Sequence, residues 1–229
     1  MARLPEEATM PTEIHPSLAV MPETRRQILM LLKKRGSARS EGIAEAIGVT
    51  LSGIRQQMAV LERDGLITHS DLRDGRGRPK FIYYLTPSAD NLFPRNYADL
   101  TNELLEYVEQ ADPALLEQIF DKRGARRLER AQQRTAGLSF PEQVRVITEL
   151  LDEDGYLAAF ETQPDGSYRI VEHNCAVMEV AQKYSQACRT EIAFLRAALP
   201  DADVTRIAHM IAGQHVCAYD VRLKAPNAQ

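Results

Sequence analysis

The order of the segments between residues 22 and 86 limits the possible fold of this chain more than any other feature. Three stretches predict helices, because each carries apolar residues at helical spacing and is followed by a glycine that favours a helix stop. With the closing glycine included, they read PETRRQILMLLKKRG, SEGIAEAIG and LSGIRQQMAVLERDG. Only GVT separates the second from the third, which is as short as the turn of a helix-turn-helix.

The third of these helices has the clearest pattern. Ile54, Met58 and Leu61 follow an i, i+4, i+7 spacing and predict a buried face. Thr50 is a suitable N-cap for this helix, and Ser40 is a suitable N-cap for the helix before it. We therefore expect a short second helix and a longer third helix, both starting directly after these polar residues.

After Gly65 the helical periodicity ends and the composition becomes typical of β-strands. LITHSDLR and KFIYYLT predict two strands, and the glycine- and proline-rich DGRGRP between them predicts a hairpin turn. Three helices followed by a hairpin with a basic tip predict a winged helix-turn-helix domain over residues 21–90.

Polar side chains near the start of the third helix indicate DNA binding, because that end of a recognition helix reaches base edges in the major groove. Arginine suits guanine and glutamine suits adenine, while cations at the hairpin tip can follow phosphates. Residues 21–90 carry twelve Lys or Arg against eight Asp or Glu, although the whole chain has a net charge of −4. The alternative is an ordinary solvated helix face. The predicted DNA-binding residues are Ser52, Arg55, Gln56, Gln57, Arg73, Arg76, Arg78 and Lys80.

The rest of the chain predicts a mainly α protein with an α+β C-terminal part. Residues 1–20 are polar and predict a disordered tail, and 91–136 predict a helical linker broken at Asp112-Pro113. Residues 137–229 predict an α+β sensor domain. In the linker, an apolar stripe predicts either packing within the subunit or, as we favour, dimerisation for reading two half-sites of operator DNA. The stripe consists of Tyr97, Leu100, Leu104 and Val108.

The sequence lacks the marks of a secreted or membrane protein. No run approaches the roughly 18 apolar residues of a membrane span, and the first twenty residues do not resemble a secretory signal. We therefore expect a cytoplasmic protein with no membrane partner.

The three cysteines all lie in the predicted C-terminal domain. Cys175 is predicted to begin a helix, Cys188 to lie in the first turn of the next, and Cys217 to lie on the last strand. A helix N-terminus favours the thiolate form. In the cytoplasm thiols stay reduced, and thiolates select iron–sulfur clusters, zinc or Cu(I). Their spacing excludes CxxC zinc knuckles and thioredoxin-like sites. A metal site and three small buried hydrophobes are about equally favoured by composition.

Four segments carry a resemblance to a known family: IRQQMAVLERDGLI, GRGRPKFIYYLT, HNCAVMEVAQKYSQACRTEI and GQHVCAYDV. Together they resemble the SufR-type repressors of iron–sulfur assembly operons, over most of residues 21–223. The resemblance implies a homodimer that represses while it holds an iron–sulfur cluster, 4Fe–4S or 2Fe–2S, on the C-terminal cysteines Cys175, Cys188 and Cys217.

The chain departs from this family in one respect. Many members carry a fourth cysteine, which would fall at Ala202 here. A fourth ligand would then be His173, His209, His215, Asp220, a backbone group or a small thiol, or one iron would be left open.

Two other functions remain open. The C-terminal site could hold structural zinc or a small-molecule effector under the same DNA-binding head. A thiol enzyme is the third possibility, but no nucleophile–base pattern supports it, so we expect that the chain is not an enzyme.

Overall fold

The computed structural model describes residues 16–72 and 80–225. The chain divides into two compact units, Met1–Arg95 and Asn96–Gln229. The first is helical with one hairpin, and the second combines helices with a small antiparallel sheet, which confirms the predicted mainly α and α+β class. Among the described residues, no helix is both long and apolar enough to cross a bilayer.

The first unit has the order of a winged helix-turn-helix. The hairpin strands β1 and β2 pair antiparallel with Ile67 opposite Leu85, and Ala38 bridges to Tyr83 beside them. In chain order, the elements are α1 (Pro16–Ala19), α2 (Glu23–Arg35), α3 (Ser40–Ile47), α4 (Leu51–Arg63), β1 (Ile67–Leu72), β2 (Lys80–Leu85) and a 3₁₀ helix (Pro87–Leu92).

The core of this unit is built from the apolar faces of its helices. The buried face predicted for α4 is present, because Ile54, Met58 and Leu61 are all within the core. Leu18 of α1 is also buried there. Residues 16–19, which the sequence assigned to a disordered tail, therefore form a helix held by this one leucine.

Of the two predicted helix caps, the one at Thr50 is confirmed and the one at Ser40 is wrong. Thr50 caps α4, since its side-chain oxygen accepts a hydrogen bond from the backbone N–H of Gly53 at 3.2 Å. Ser40 does not cap α3. It is the first residue of the helix, and Arg39 occupies the cap position without a side-chain hydrogen bond.

The second unit begins with a helical hairpin. Its sheet has the strand order β3-β4-β6-β5, and all neighbours are antiparallel. The elements are α5 (Tyr97–Ala111), α6 (Pro113–Thr135), α7 (Phe140–Glu153), β3 (Ala158–Thr162), β4 (Tyr168–Glu172), α8 (Met178–Lys183), α9 (Gln186–Ala198), β5 (Ala202–Ala208), a 3₁₀ helix (Met210–Ala212) and β6 (Cys217–Leu223).

The helices of the segment predicted as a linker pack inside the second unit. α6 lies against α7 and α9, and α5 lies against α6 and α8. The apolar stripe predicted on α5 is divided as a result. Val108 packs in the core with α6 and α8, whereas Tyr97, Leu100 and Leu104 are exposed. Tyr107 is exposed as well.

Two glycines of the first unit should respond in opposite ways to the same substitution. Gly48 ends α3 with φ at 74°, whereas Gly42 lies inside α3, and a methyl group at either position would meet no heavy atom within 4 Å. Gly48→Ala should lower the free energy of unfolding by about 1 kcal/mol because alanine disfavours a left-handed backbone. Gly42→Ala should raise it by about 0.5–1 kcal/mol through helix propensity. Native-state hydrogen exchange of the α4 amides measures both, and equal signs would contradict the structure.

Candidate functional site

The three cysteines meet at one pocket in the second unit. Cys175 lies in the loop before α8, Cys188 is the third residue of α9, and Cys217 is the first residue of β6. All three line the same pocket. Cys175 was expected to begin a helix, but α8 starts only at Met178.

Backbone contacts with a neighbouring loop hold Cys175. The N–H of Asn174 donates to the carbonyl oxygen of Tyr156 at 3.0 Å, and its side-chain Nδ2 donates to the carbonyl oxygen of Gly155 at 2.7 Å. Leu157 in that loop has φ at 47°, which is strained for leucine. The asparagine before Cys175 is thus a positioning residue, and Tyr156 itself lines the pocket.

The other two cysteines are held by β5 and the turn that follows it. Nη2 of Arg206 donates to the carbonyl oxygen of Cys188 at 2.5 Å. The backbone N–H of Met210 donates to Sγ of Cys217 at 3.4 Å. Cys217 is also paired with Glu172 across β4 and β6, so the end of the sheet forms one wall of the pocket.

The pocket contains buried polar atoms that have no hydrogen-bond partner. Nearly all buried polar groups in folded proteins are hydrogen-bonded, so a concentration of unpaired ones indicates a site for a ligand or water. The unpaired atoms on this pocket include Oε1 of Glu172, Oε1 of Glu191, Nε of Arg206 and Nε2 of His209.

Burial keeps the thiols of the pocket protonated. It raises the pKa of Cys188 to about 11, only partly opposed by Arg206, and it also raises the pKa of Cys175 and Cys217. The expectation that a helix N-terminus would favour the thiolate is therefore wrong for Cys188. Reactive cysteines have lowered pKa values, so these thiols are not activated as nucleophiles. A metal would have to displace their protons.

The carboxyl group of Glu172 responds to burial in the same way. Burial, together with the nearby charge of Glu191, raises the pKa of Glu172 to about 8. Glu172 is thus mainly neutral at pH 7, which removes the repulsion that two adjacent carboxylates would otherwise cause.

The donors share a pocket but not a closed coordination sphere. Within residues 16–72 and 80–225, no three His, Cys, Asp or Glu side chains stand close enough to hold a metal ion as they are placed. The donor chemistry nevertheless fits an iron–sulfur cluster or a soft metal, because three cysteines and one histidine with a buried imidazole nitrogen line the same pocket. Ligation therefore requires these side chains to move closer together.

The candidates for a fourth ligand have different surroundings. His209 lines the pocket, whereas His173 and His215 are exposed and are not among its lining residues. Asp220 is bound to Arg169 at 2.8 Å. Burial and the charge of Arg206 lower the pKa of His209, which favours the neutral imidazole that binds metals.

The position of the fourth cysteine that the SufR-type resemblance implies is remote from the pocket. Ala202 is buried at the start of β5 and pairs with Leu223 at the far end of β6. Cys217 lies at the opposite end of β6. Six residues of strand span about 20 Å. A cysteine at position 202 of this fold could not share a metal with Cys217.

A buried ion-pair network connects the pocket to α6. Arg127 donates to Glu191 at 2.9 Å and to Asp154 at 3.0 Å, and its guanidinium lies 4.5 Å from the ring centre of Phe194. Only 11% of the Arg127 side chain and 6% of the Glu191 side chain are exposed. Glu191 lies one turn after Cys188 on α9. A movement of Cys188 can therefore be transmitted to α6 through the ion pair between Glu191 and Arg127.

Removing Arg127 should destabilise the second unit strongly. Arg127→Ala leaves Glu191 buried without its partner, and loss of one member of a buried pair costs about 3–5 kcal/mol. Arg145→Ala is the matched control, because its pair with Glu149 is about half exposed on both sides and should contribute less than about 1 kcal/mol. Urea denaturation followed by circular dichroism compares the two, and similar losses would contradict the structure.

The predicted DNA-reading residues are only partly within the described structure. Ser52, Arg55 and Gln56 are exposed near the start of α4. Arg55 also forms an exposed ion pair with Glu41 at 3.4 Å. The hairpin residues Arg73, Arg76 and Arg78 lie outside the described residues, and so does the side chain of Lys80, although β2 begins there.

Gln57 has a different environment from its neighbours. It is half-buried, and its Oε1 accepts a hydrogen bond from Nε of Arg25 on α2 at 2.8 Å. This contact positions α4 against α2. Sequence reasoning missed Arg25, because no local pattern indicates which side chain of α2 reaches α4.

A comparison with known protein families supports the winged helix-turn-helix architecture of the first unit. Residues 22–69 match the family model described as bacterial regulatory protein, arsR family. The chain carries a winged helix-turn-helix of the ArsR type. The chain is thus a DNA-binding transcriptional regulator of the winged-helix type. Its second unit lies outside the matched residues. A search of curated proteins finds no match.

Solved structures of bacterial proteins match part of the chain. The adhesin competence repressor AdcR from Streptococcus pyogenes is 20% identical, with 45% of this chain and 76% of that chain covered and a TM-score of 0.30. YusO from Bacillus subtilis is 23% identical, with 46% and 74% covered and a TM-score of 0.30. At this TM-score neither likeness carries an argument of its own.

Proposed function

We propose that the regulator is a cytoplasmic repressor that binds operator DNA according to the state of an iron–sulfur cluster, and that it controls genes of cluster assembly. The observation that carries the proposal is the common pocket of Cys175, Cys188 and Cys217, which come from segments far apart in the chain. Soft thiolates select such clusters over hard cations. The target genes follow from the resemblance of the cysteine segments to SufR-type repressors.

A cluster in this pocket would act as a removable cross-link. It supplies bonds to thiolate ligands that are lost when iron is withdrawn or the cluster is oxidised. The chain's own residues would transmit that change. α9 carries both Cys188 and Glu191, and Glu191 is bound to Arg127 of α6. Holding the loop before α8, the start of α9 and the start of β6 together therefore also fixes α6.

The repressor is proposed to act as a homodimer. Leu100, Leu104 and Tyr107 form an exposed apolar face on α5, and Leu115 and Ile119 of α6 are also partly exposed. Exposed apolar patches of this kind mark interaction surfaces. A second copy is the partner expected for this class of domain, because winged-helix regulators pair to bind two half-sites.

DNA reading should depend on the start of α4 and not on its end. Arg55→Ala should weaken operator binding by about 5- to 150-fold, since a good base contact contributes about 1–3 kcal/mol. Arg63→Ala removes the same charge from the last residue of α4 and should have a much smaller effect. Fluorescence anisotropy with operator DNA at fixed salt measures both affinities. Equal losses of affinity for the two variants would mean that α4 contributes only nonspecific electrostatic attraction to DNA. That result would contradict base recognition by the N-terminal end of α4.

The cluster proposal predicts the colour and the DNA affinity of the anaerobic protein. Protein purified without oxygen should be brown, contain iron and acid-labile sulfide, and bind operator at least about tenfold more tightly than the same protein after iron removal. Cys188→Ser should behave like the iron-depleted protein because one ligand is lost. Metal analysis and anisotropy in an anaerobic chamber check these outcomes.

The matched control for Cys188→Ser is Ser185→Ala, three residues earlier and adjoining the same helix, which removes a hydroxyl that makes no cap hydrogen bond. This variant should keep both iron and DNA affinity. A colourless protein with one zinc per chain would contradict the proposal and favour a structural metal. Equal operator affinity with and without cluster would contradict the sensing role.

A further inference from the structure

We infer that His209 completes the ligand set of this pocket, by binding the cluster through Nε2. The inference rests on the proposed function and names the residue that replaces a fourth cysteine. Nε2 of His209 is buried, has no hydrogen-bond partner and belongs to a side chain that lines the pocket of the three cysteines. A buried imidazole nitrogen without a partner costs free energy that ligation would recover.

Hydrogen bonds of the backbone at residues 209 and 210 order the segment between His209 and Cys217, two residues that line the same pocket. His209 directly follows β5, and its N–H donates to Oε1 of Gln214 at 2.5 Å. The next residue, Met210, donates its N–H to Sγ of Cys217 at 3.4 Å. These two hydrogen bonds restrain the turn between β5 and β6, which carries His209 at its start and leads directly into Cys217.

The other polar side chains of the pocket are less suited to ligation. One carboxylate oxygen of Glu172 accepts a hydrogen bond from Tyr219 at 3.4 Å, and Glu191 is bound to Arg127. Carboxylates also prefer hard cations, whereas imidazole replaces thiolate at iron in known cluster types. Arg206 has no lone pair to offer. Among the described residues that line the pocket, His209 is therefore the best fourth donor.

Imidazole ligation has a consequence that can be measured without DNA. Exchange of a thiolate for a neutral imidazole raises the reduction potential of a cluster. His209→Cys should retain the cluster with four sulfur ligands, and its potential should move to a more negative value. His209→Ala should lose iron to a chelator about tenfold faster or more.

Pulsed EPR on the reduced holoprotein tests the ligand directly. The wild-type cluster should show the hyperfine coupling of a bonded nitrogen, and labelling with ¹⁵N-histidine should change it in the ratio of the two nuclei. The coupling should disappear in His209→Cys. It should persist in His173→Ala and His215→Ala, the matched controls, because both side chains are exposed and away from the pocket.

The outcomes separate this inference from the proposed function. A wild-type cluster without nitrogen coupling, or a coupling that survives in His209→Cys, overturns His209 ligation while the cluster itself stands. A wild-type protein that holds no cluster overturns the proposed function. The wild-type spectrum needs no substitution, so the test holds even if His209→Ala fails to fold.

Discussion

The antiparallel pairing of β4 with β6 is the interaction on which the pocket depends. It sets Cys217 opposite Glu172, and Cys175 follows Glu172 by only three residues. Two cysteines that are distant in sequence are therefore brought to one end of the sheet by strand register alone. Because side chains alternate between the faces of a strand, a slip of one residue would turn Cys217 to the other face. α9 then adds Cys188, held to β5 by the contact between its carbonyl group and Arg206.

Several buried polar atoms of the pocket formed in this way have no hydrogen-bond partner. Each buried polar atom without a partner costs about 1–3 kcal/mol, and the pocket contains several. The backbone of Leu157 adds strain in the loop that holds Asn174. Such costs persist only where the surrounding structure enforces them, here through the core beneath the sheet and the Arg127 network. A ligand that binds only the folded pocket would stabilise the second unit by mass action, which couples its occupancy to the rigidity of α9 and α6.

Periodic features could be predicted from the sequence, and single contacts could not. The helices and hairpin of the first unit, the break at Asp112-Pro113 and the cap at Thr50 follow from spacing and local chemistry. The prediction that Ser40 is the N-cap of α3 is wrong by one residue, because Arg39 occupies that position. The stripe on α5 was divided because α6 and α8 cover only the side of that helix that carries Val108. Local periodicity does not reveal which face a neighbour will cover.

The properties of the candidate site depend on burial and on three-dimensional position, and neither can be predicted from the sequence. The residue types at Cys175, Cys188 and Cys217 indicated a soft-metal site, but their raised pKa values come from burial, which the sequence does not report. The resemblance to SufR-type repressors also implies that a fourth cysteine would fall at Ala202. In three dimensions, that position lies at the wrong end of β5, while His209, just beyond the other end, lies on the pocket. Strand β5 separates the two positions by about 20 Å, so a residue just beyond its C-terminal end is much nearer to the three cysteines than a residue at its start.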